Sequence, residues 1–194
     1  MTRSAFILRG ALATTAALGA SAATGFVGRA MAQGGENDAD VFRLALTLEL
    51  LEAAFYEQAL RRVDMSADNR RLAELVGAHE REHVTRLQQV LDRLGESYSS
   101  EANLRFNFPL ASEDAFLALA VKLEDTGVSA YSGAAPQVRS AELLALAGSI
   151  VQTEARHAAA LRAAAGESFA PRAFDRAIPL TRAVADAVPY IQRL

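Results

Sequence analysis

Apolar residues recur at three-and-four spacing in four long stretches of this chain, and each stretch predicts an amphipathic helix. From Asp40, an N-cap residue type, Phe42, Ala45, Leu46, Glu49, Ala53, Tyr56 and Leu60 share one face. A polar break over residues 64–69 separates this helix from a second, running from about Asp68 to Leu94 and ended by Gly95. Its inward face reads Leu72, Val76, His79/Glu80, His83, Leu87, Val90 and Leu94. A third helix opens at Ser112, with Glu113 and Asp114 in the first turn where the helix dipole favours acids; its stripe is Leu117, Val121, Glu124, Val128 and Tyr131. The fourth begins between Pro136 and Ser140 and stops at Gly166, with Leu143, Ala147, Ile150, Glu154, His157, Leu161 and Ala164 on one face. Every stripe is interrupted by an acid.

Between the second and third helices, residues 95–111 carry Gly95, Ser97, Ser99, Ser100, Asn103, Asn107 and Pro109, which is loop chemistry. About 18 extended residues reach farther than the ~33 Å of a 22-residue helix, so this connection can return the chain to its starting end. The third helix then runs parallel to the second. Residues 167–194 read as a tail with a short helix from about Thr181 to Ala187, bounded by Pro179 and Pro189 and packing over the bundle. No stretch alternates at period two over the length of a strand. The fold class is therefore all-α: one four-helix bundle over 40–166, with a long crossover between helices 2 and 3 and a short helical tail.

The acids repeat. Glu49 precedes Glu80 by 31 positions and Glu124 precedes Glu154 by 30, and Glu-x-x-His occurs at both Glu80/His83 and Glu154/His157. Tyr56 and Tyr131 each stand seven residues after the Glu of their own helix. Two similar helical hairpins related by a pseudo-two-fold axis would bring four carboxylates and two imidazoles together at mid-bundle.

Composition narrows the chemistry. With 194 residues, 51% of them hydrophobic, the chain can bury one sizeable core. A net charge of -3 offers no basic footprint for nucleic acid. Cysteine is absent, which removes disulfides, thiolate nucleophiles and Cys-ligated zinc or iron-sulfur centres. A metal here must be held by carboxylates and imidazoles, donors that suit iron, manganese or zinc.

On these residues the sequence resembles the ferritin-like superfamily, whose di-metal members use one Glu from each of two helices and Glu-x-x-His from each of the other two. The resemblance implies metal ligation by Glu49, Glu80, His83, Glu124, Glu154 and His157, two iron or manganese ions and no organic cofactor. It also implies Tyr56 as a residue acting at the centre, because a Tyr two turns after the first ligand is familiar among bacterioferritin-like and rubrerythrin-like relatives. The run Leu48-Glu49-Leu50-Leu51-Glu52-Ala53-Ala54-Phe55-Tyr56 looks like the first helix of exported desiccation-related ferritin-like proteins. The expected partners are metal ions and dioxygen or peroxide, with a homo-oligomer left open.

Charge balance gives the physical reason for these residue types. Four carboxylates neutralise two divalent ions, and two neutral imidazoles complete coordination without adding charge. Without metal the same acids repel one another and resist burial, so that some stay protonated. The expected activity is oxidation of Fe(II), or consumption of peroxide or dioxygen. An alternative is a non-catalytic, stress-related protein in which metals staple the bundle.

Residues 79–83 also spell H-E-x-x-H, the zinc-protease pattern with two His ligands and a Glu base. That reading leaves Glu49, Glu124 and the Glu154/His157 echo unexplained. His79 is otherwise expected to pack beside the site, and Tyr131, like Tyr56, to pack in the core with its hydroxyl hydrogen-bonded. Glu52, Glu57, Glu82, Asp125 and Arg156 are expected to be solvated charges or neighbours of the ligands.

Residues 1–32 read as an export segment, from Arg3 and Arg9 through the mild apolar run 11–27 to the small-x-small site Ala30-Met31-Ala32. Residues 2–7 resemble a twin-arginine signal with Ser4 where the second Arg would stand. The expectation is a periplasmic or secreted protein, exported by the general route or by a degenerate twin-arginine signal. The alternative is a permanent membrane anchor, but the run is short and weakly apolar beside the ~20 strongly apolar residues a spanning helix needs, and no stable membrane insertion is expected once the segment is cleaved.

Overall fold

Asn37 turns the chain into its first helix: its side-chain oxygen accepts the Asp40 amide proton at 3.0 Å, while Asp38 and Asp40 sit in the first turn. In the computed structural model, which describes residues 37–98 and 104–192, this helix is α1 (Asp38–Arg62). The expectation that Asp40 is the cap is corrected, since Asn37 takes that role and Asp40 is buried against Arg43. The segment read as an export signal lies outside the described residues.

Serine hydroxyls open the next three helices. Ser66 caps α2 (Ala67–Arg93), Ser112 caps α3 (Glu113–Ala134) and Ser140 caps α4 (Ala141–Ala164), each accepting an amide proton from the first turn. Gly95 and Gly166 end α2 and α4 in the left-handed conformation, at φ 71° and 74°, which glycine adopts without a Cβ clash. Leu94 and Ala164, expected on inner faces, are exposed instead, because α2 and α4 end there and none of the described residues covers them.

Polar contacts at the helix starts fix the directions. The Glu113 carboxylate accepts from the Ser66 amide at 2.9 Å and its hydroxyl at 2.7 Å, so α2 and α3 begin at the same end. At the opposite end, Asp38 accepts from the amides of Arg139 and Ser140 at 2.7 and 2.9 Å, joining the starts of α1 and α4. The helices therefore run up, down, down, up, as the long crossover requires. α1 packs chiefly on α2, and α3 on α4.

Apolar residues of all four helices form one core, and Phe55, Phe108 and Phe116 interlock within it, with ring centroids 5.2 and 5.6 Å from Phe55. Phe108 belongs to the crossover, which this packing ties to the bundle.

The tail closes the remaining face. α5 (Leu180–Ala187) lies across α1 and α3, burying Leu180, Ala183, Val184 and Ala187. After it, the chain meets the crossover in a single antiparallel bridge between Phe106 and Ile191, flanked by Asn107 N–H to Tyr190 O at 2.8 Å and Gln192 N–H to Arg105 O at 2.7 Å. Before it, the Ile178 amide donates to Ser129 O at 3.0 Å. That approach is possible because residue 133 is glycine: a Cβ there would lie 1.9 Å from Ile178 O. Gly133→Ala is expected to push the tail off α3, at a cost of roughly 1–3 kcal/mol of stability. Limited proteolysis would show it as faster cutting near Ile178. Among the described residues no helix is long and apolar enough to cross a membrane.

Candidate metal centre

Each of the four bundle helices delivers its stripe-breaking acid to one level of the core. Glu49 from α1, Glu80 from α2, Glu124 from α3 and Glu154 from α4 are all fully buried. The i, i+3 spacing places His83 beside Glu80 and His157 beside Glu154. His157 is buried and His83 retains 12% side-chain exposure, so the centre meets solvent on the α2/α4 side.

The donor atoms fall into two overlapping groups. Glu49, Glu80, His83 and Glu154 form one, and Glu80, Glu124, Glu154 and His157 the other, with ligand atoms in each lying within 4.8 Å of one another. Donors about 2.0–2.2 Å from one ion are up to ~4.2 Å apart, so closing onto an ion needs only small side-chain shifts. Glu80 and Glu154 belong to both groups, as carboxylates bridging two ions would. The two hairpins interleave, because Glu154 of the second joins His83 of the first, and Glu80 of the first joins His157 of the second.

A second observation supports a fit to cations. Glu80 Oε1 and both oxygens of Glu154 are buried without a hydrogen-bond partner among the described residues. His83 Nδ1 approaches Glu154 Oε1, and His157 Nδ1 approaches Glu80 Oε1, each at 3.0 Å but outside hydrogen-bond geometry. Buried carboxylate oxygens without donors cost several kcal/mol unless a cation completes them. The arrangement of lone pairs turned toward shared points is what a metal ion requires.

The tyrosines cross between halves. Tyr56 of α1 donates its hydroxyl hydrogen to Glu124 of α3, and Tyr131 of α3 donates to Glu49 of α1. Burial first, then the adjacent Glu124 or Glu49, pushes both phenols well above their ordinary value, so both remain neutral donors. Each thereby fixes the carboxylate that belongs to only one of the two groups. Tyr56→Phe is expected to cost about 2 kcal/mol in urea denaturation, since it leaves a buried carboxylate oxygen without its donor. The loss should fall on the Glu124/His157 position, and Tyr131→Phe should repeat it at Glu49/His83.

Electrostatics match this crowding. Burial is the largest influence on Glu154 and raises it well above the usual carboxylate range, with Glu80 and Glu124 adding to it. Glu80 rises to about 7, again through burial, partly offset by the adjacent His157 and His83 imidazoles. Burial disfavours charge on the histidines, but the carboxylates outweigh it. Glu154, Glu49 and Glu80 push His83 up to about 12, and Glu124 and Glu80 push His157 up to about 9.

A family model for the ferritin-like domain matches residues 37–167. The chain belongs to this family. No curated protein matches it. In this ferritin-like chain all six sequence-proposed ligands converge, whereas His79, the extra His of the zinc-protease pattern, offers no atom to either ligand group. His79 Nδ1 instead lies 2.9 Å from His157 Nε2, and burial followed by His157 and His83 lowers it from its ordinary value.

Sequence reasoning left Glu52 either a solvated charge or a neighbour of the ligands, and the structure makes it the neighbour. It is only 3% exposed, and burial, followed by Glu154, Glu124, Glu49 and Glu80, raises it well above the ordinary range. The available signal was Gly127, which holds the equivalent place three residues after Glu124 in the second half: a Cβ there would meet Glu154 Oε2 at 3.3 Å and Glu52 Oε1 at 3.4 Å. Five buried carboxyl groups thus face two imidazoles. Two divalent ions would balance four of them, and Glu52, already raised well above the ordinary range, would keep its proton as the fifth.

Proposed function

We propose that this ferritin-like protein is an exported di-metal oxidoreductase that binds two iron or manganese ions and consumes dioxygen or peroxide, or oxidises Fe(II). The observation that carries the reading is the pair of overlapping Glu/His groups sharing Glu80 and Glu154, with oxygens that have no other partner. Bound iron or manganese would supply the electrons that a diatomic oxidant takes up.

The chain's own residues do the remaining work. Glu49/His83 and Glu124/His157 would each hold one ion, with Glu80 and Glu154 offering donor atoms to both. Tyr56 donates to Glu124 as an orienting group and places a neutral phenol O–H beside that side of the centre. A groove of ≈ 480 Å³ between α2 and α4, lined by Glu82, His83, Ser149 and Thr153 among others, gives small polar species access to His83. Export rests on Arg3, Arg9 and Ala30-Met31-Ala32.

Anaerobic titration of the full chain with Fe(II) tests the proposal. Two ions per chain and a new near-ultraviolet absorption on adding air or peroxide are expected, and no uptake would sink the reading. A second reading, a non-catalytic metal staple in a stress-related exported protein, draws on the centre cross-linking all four helices. It is favoured instead if two ions bind and raise the unfolding temperature while neither oxidant is consumed.

A further inference from the structure

His79 is the one histidine left out of both ligand groups. Its ring is nearly coplanar with that of His157, 17° between planes and 5.2 Å between centroids, with Nδ1 2.9 Å from His157 Nε2. The tautomers follow in sequence. His157 Nδ1 faces Glu80 and Glu124 at 3.0 and 3.2 Å, so with its lone pair given to an ion, the ring proton must sit on Nε2. That N–H would then donate to His79 Nδ1, leaving His79 its own proton on Nε2.

The other half lacks this device. Glu80 corresponds to Glu154 in the repeat, so His79 corresponds to Thr153, whose hydroxyl donates to Ser149 O of its own helix at 3.3 Å. His83 Nε2 has no partner among the described residues, and His83 lines the open α2/α4 groove. Pseudo-symmetry holds for the ligands and fails immediately behind the two histidines.

We propose that His79 is a positioning residue that orients His157 through this hydrogen bond, and that it makes the Glu124/His157 position the tighter of the two and the first to fill. The proposal rests on the di-metal reading. A partner behind a ligating imidazole fixes its ring and raises its basicity, and losing such a partner typically lowers metal affinity about 10–100-fold. With one histidine supported and the other facing water, two positions with nearly the same ligands become unequal.

Calorimetric titration of the metal-stripped full chain with Co(II) tests this. Two resolved steps are expected for the parent. His79→Phe should weaken the first step about 10–100-fold, leave the second unchanged and merge the two. His79→Asn, whose side-chain oxygen can stand near the position of Nδ1, should restore the separation. His79→Leu repeats the removal should Phe not be accommodated. In the proton spectrum of the Co(II)-loaded parent, one shifted, slowly exchanging imidazole N–H is expected, and it should be lost in His79→Phe. An unchanged first step in both His79→Phe and His79→Leu overturns the proposal and leaves the di-metal reading standing. Equal weakening of both steps, without rescue by Asn, also overturns it. A parent that takes up no Co(II) removes the di-metal reading, and this inference with it.

Discussion

Replacing Glu80 and Glu154 together by glutamine will abolish tight binding of both ions while leaving a folded helical bundle. These two carboxylates are the only members common to both ligand groups, so the double variant removes two ligands from each position at once. Structural zinc sites with four ligands contribute roughly 10–16 kcal/mol, or about 3 kcal/mol per ligand. Two lost ligands then weaken each position by ~6 kcal/mol, about four orders of magnitude. Glutamine keeps the volume of glutamate, so the packing around both side chains is preserved. It also removes two carboxyl groups held far from water, and the variant should therefore unfold at higher urea than the metal-stripped parent at pH 8. Co(II) titration and urea denaturation measure both effects. Retained binding of either ion at parental affinity would show that Glu80 and Glu154 do not bridge.

The inner faces of the four helices were legible because their stripes have a 3.6-residue period and their breaks carry acids at repeated spacing. The outer face of α1 was not. Val41, Leu44, Leu48 and Leu51 are buried as well, since α5 lies across α1 and α3. A helix covered on several sides loses the contrast that periodicity detects. Glu52 stands on α1 beside Leu48 and Leu51, close to Ala183 and Ala187 of that extra layer, so spacing alone left it open between a solvated charge and a neighbour of the ligands. The crossed tyrosine bonds were hidden for another reason. Tyr56 and Tyr131 stand about 10 Å along their helices from their own acids. Because α1 and α3 run in opposite directions, each flanks the centre from a different end, and a helical side chain leans back toward the N-terminus. Each phenol therefore reaches the acid of the opposite helix, a consequence of direction that spacing alone does not contain. The position of His79 behind His157 is of the same kind, since α2 and α4 must first be packed in register.

Stripped of metal, the protein will lose stability as pH rises from about 5 to 9, and two divalent ions will reverse that trend. Glu80 titrates near 4.5 in an unfolded chain and at about 7 in the folded one. Its contribution is fully present below the unfolded value and is lost as pH climbs through the folded value, because in between the folded state holds the proton that the unfolded state has released. Glu52 and Glu154 are raised and act in the same sense. His157, raised from 6.5 to about 9, extends the loss upward, and His83 carries it further. From Glu80 alone the swing is on the order of 3 kcal/mol. Metal binding requires the same groups to be deprotonated, so ions displace these protons and apparent affinity rises with pH. At concentrations ~100-fold above Kd, each ion adds about 2.7 kcal/mol. Urea denaturation at pH 5, 7 and 9, with chelator or with Co(II), should show the gap between loaded and stripped protein widening with pH. In the Glu80→Gln, Glu154→Gln variant that gap should vanish at every pH. A stripped parent whose stability did not fall above pH 5 would mean that this cluster is not held together by protons when metal is withheld.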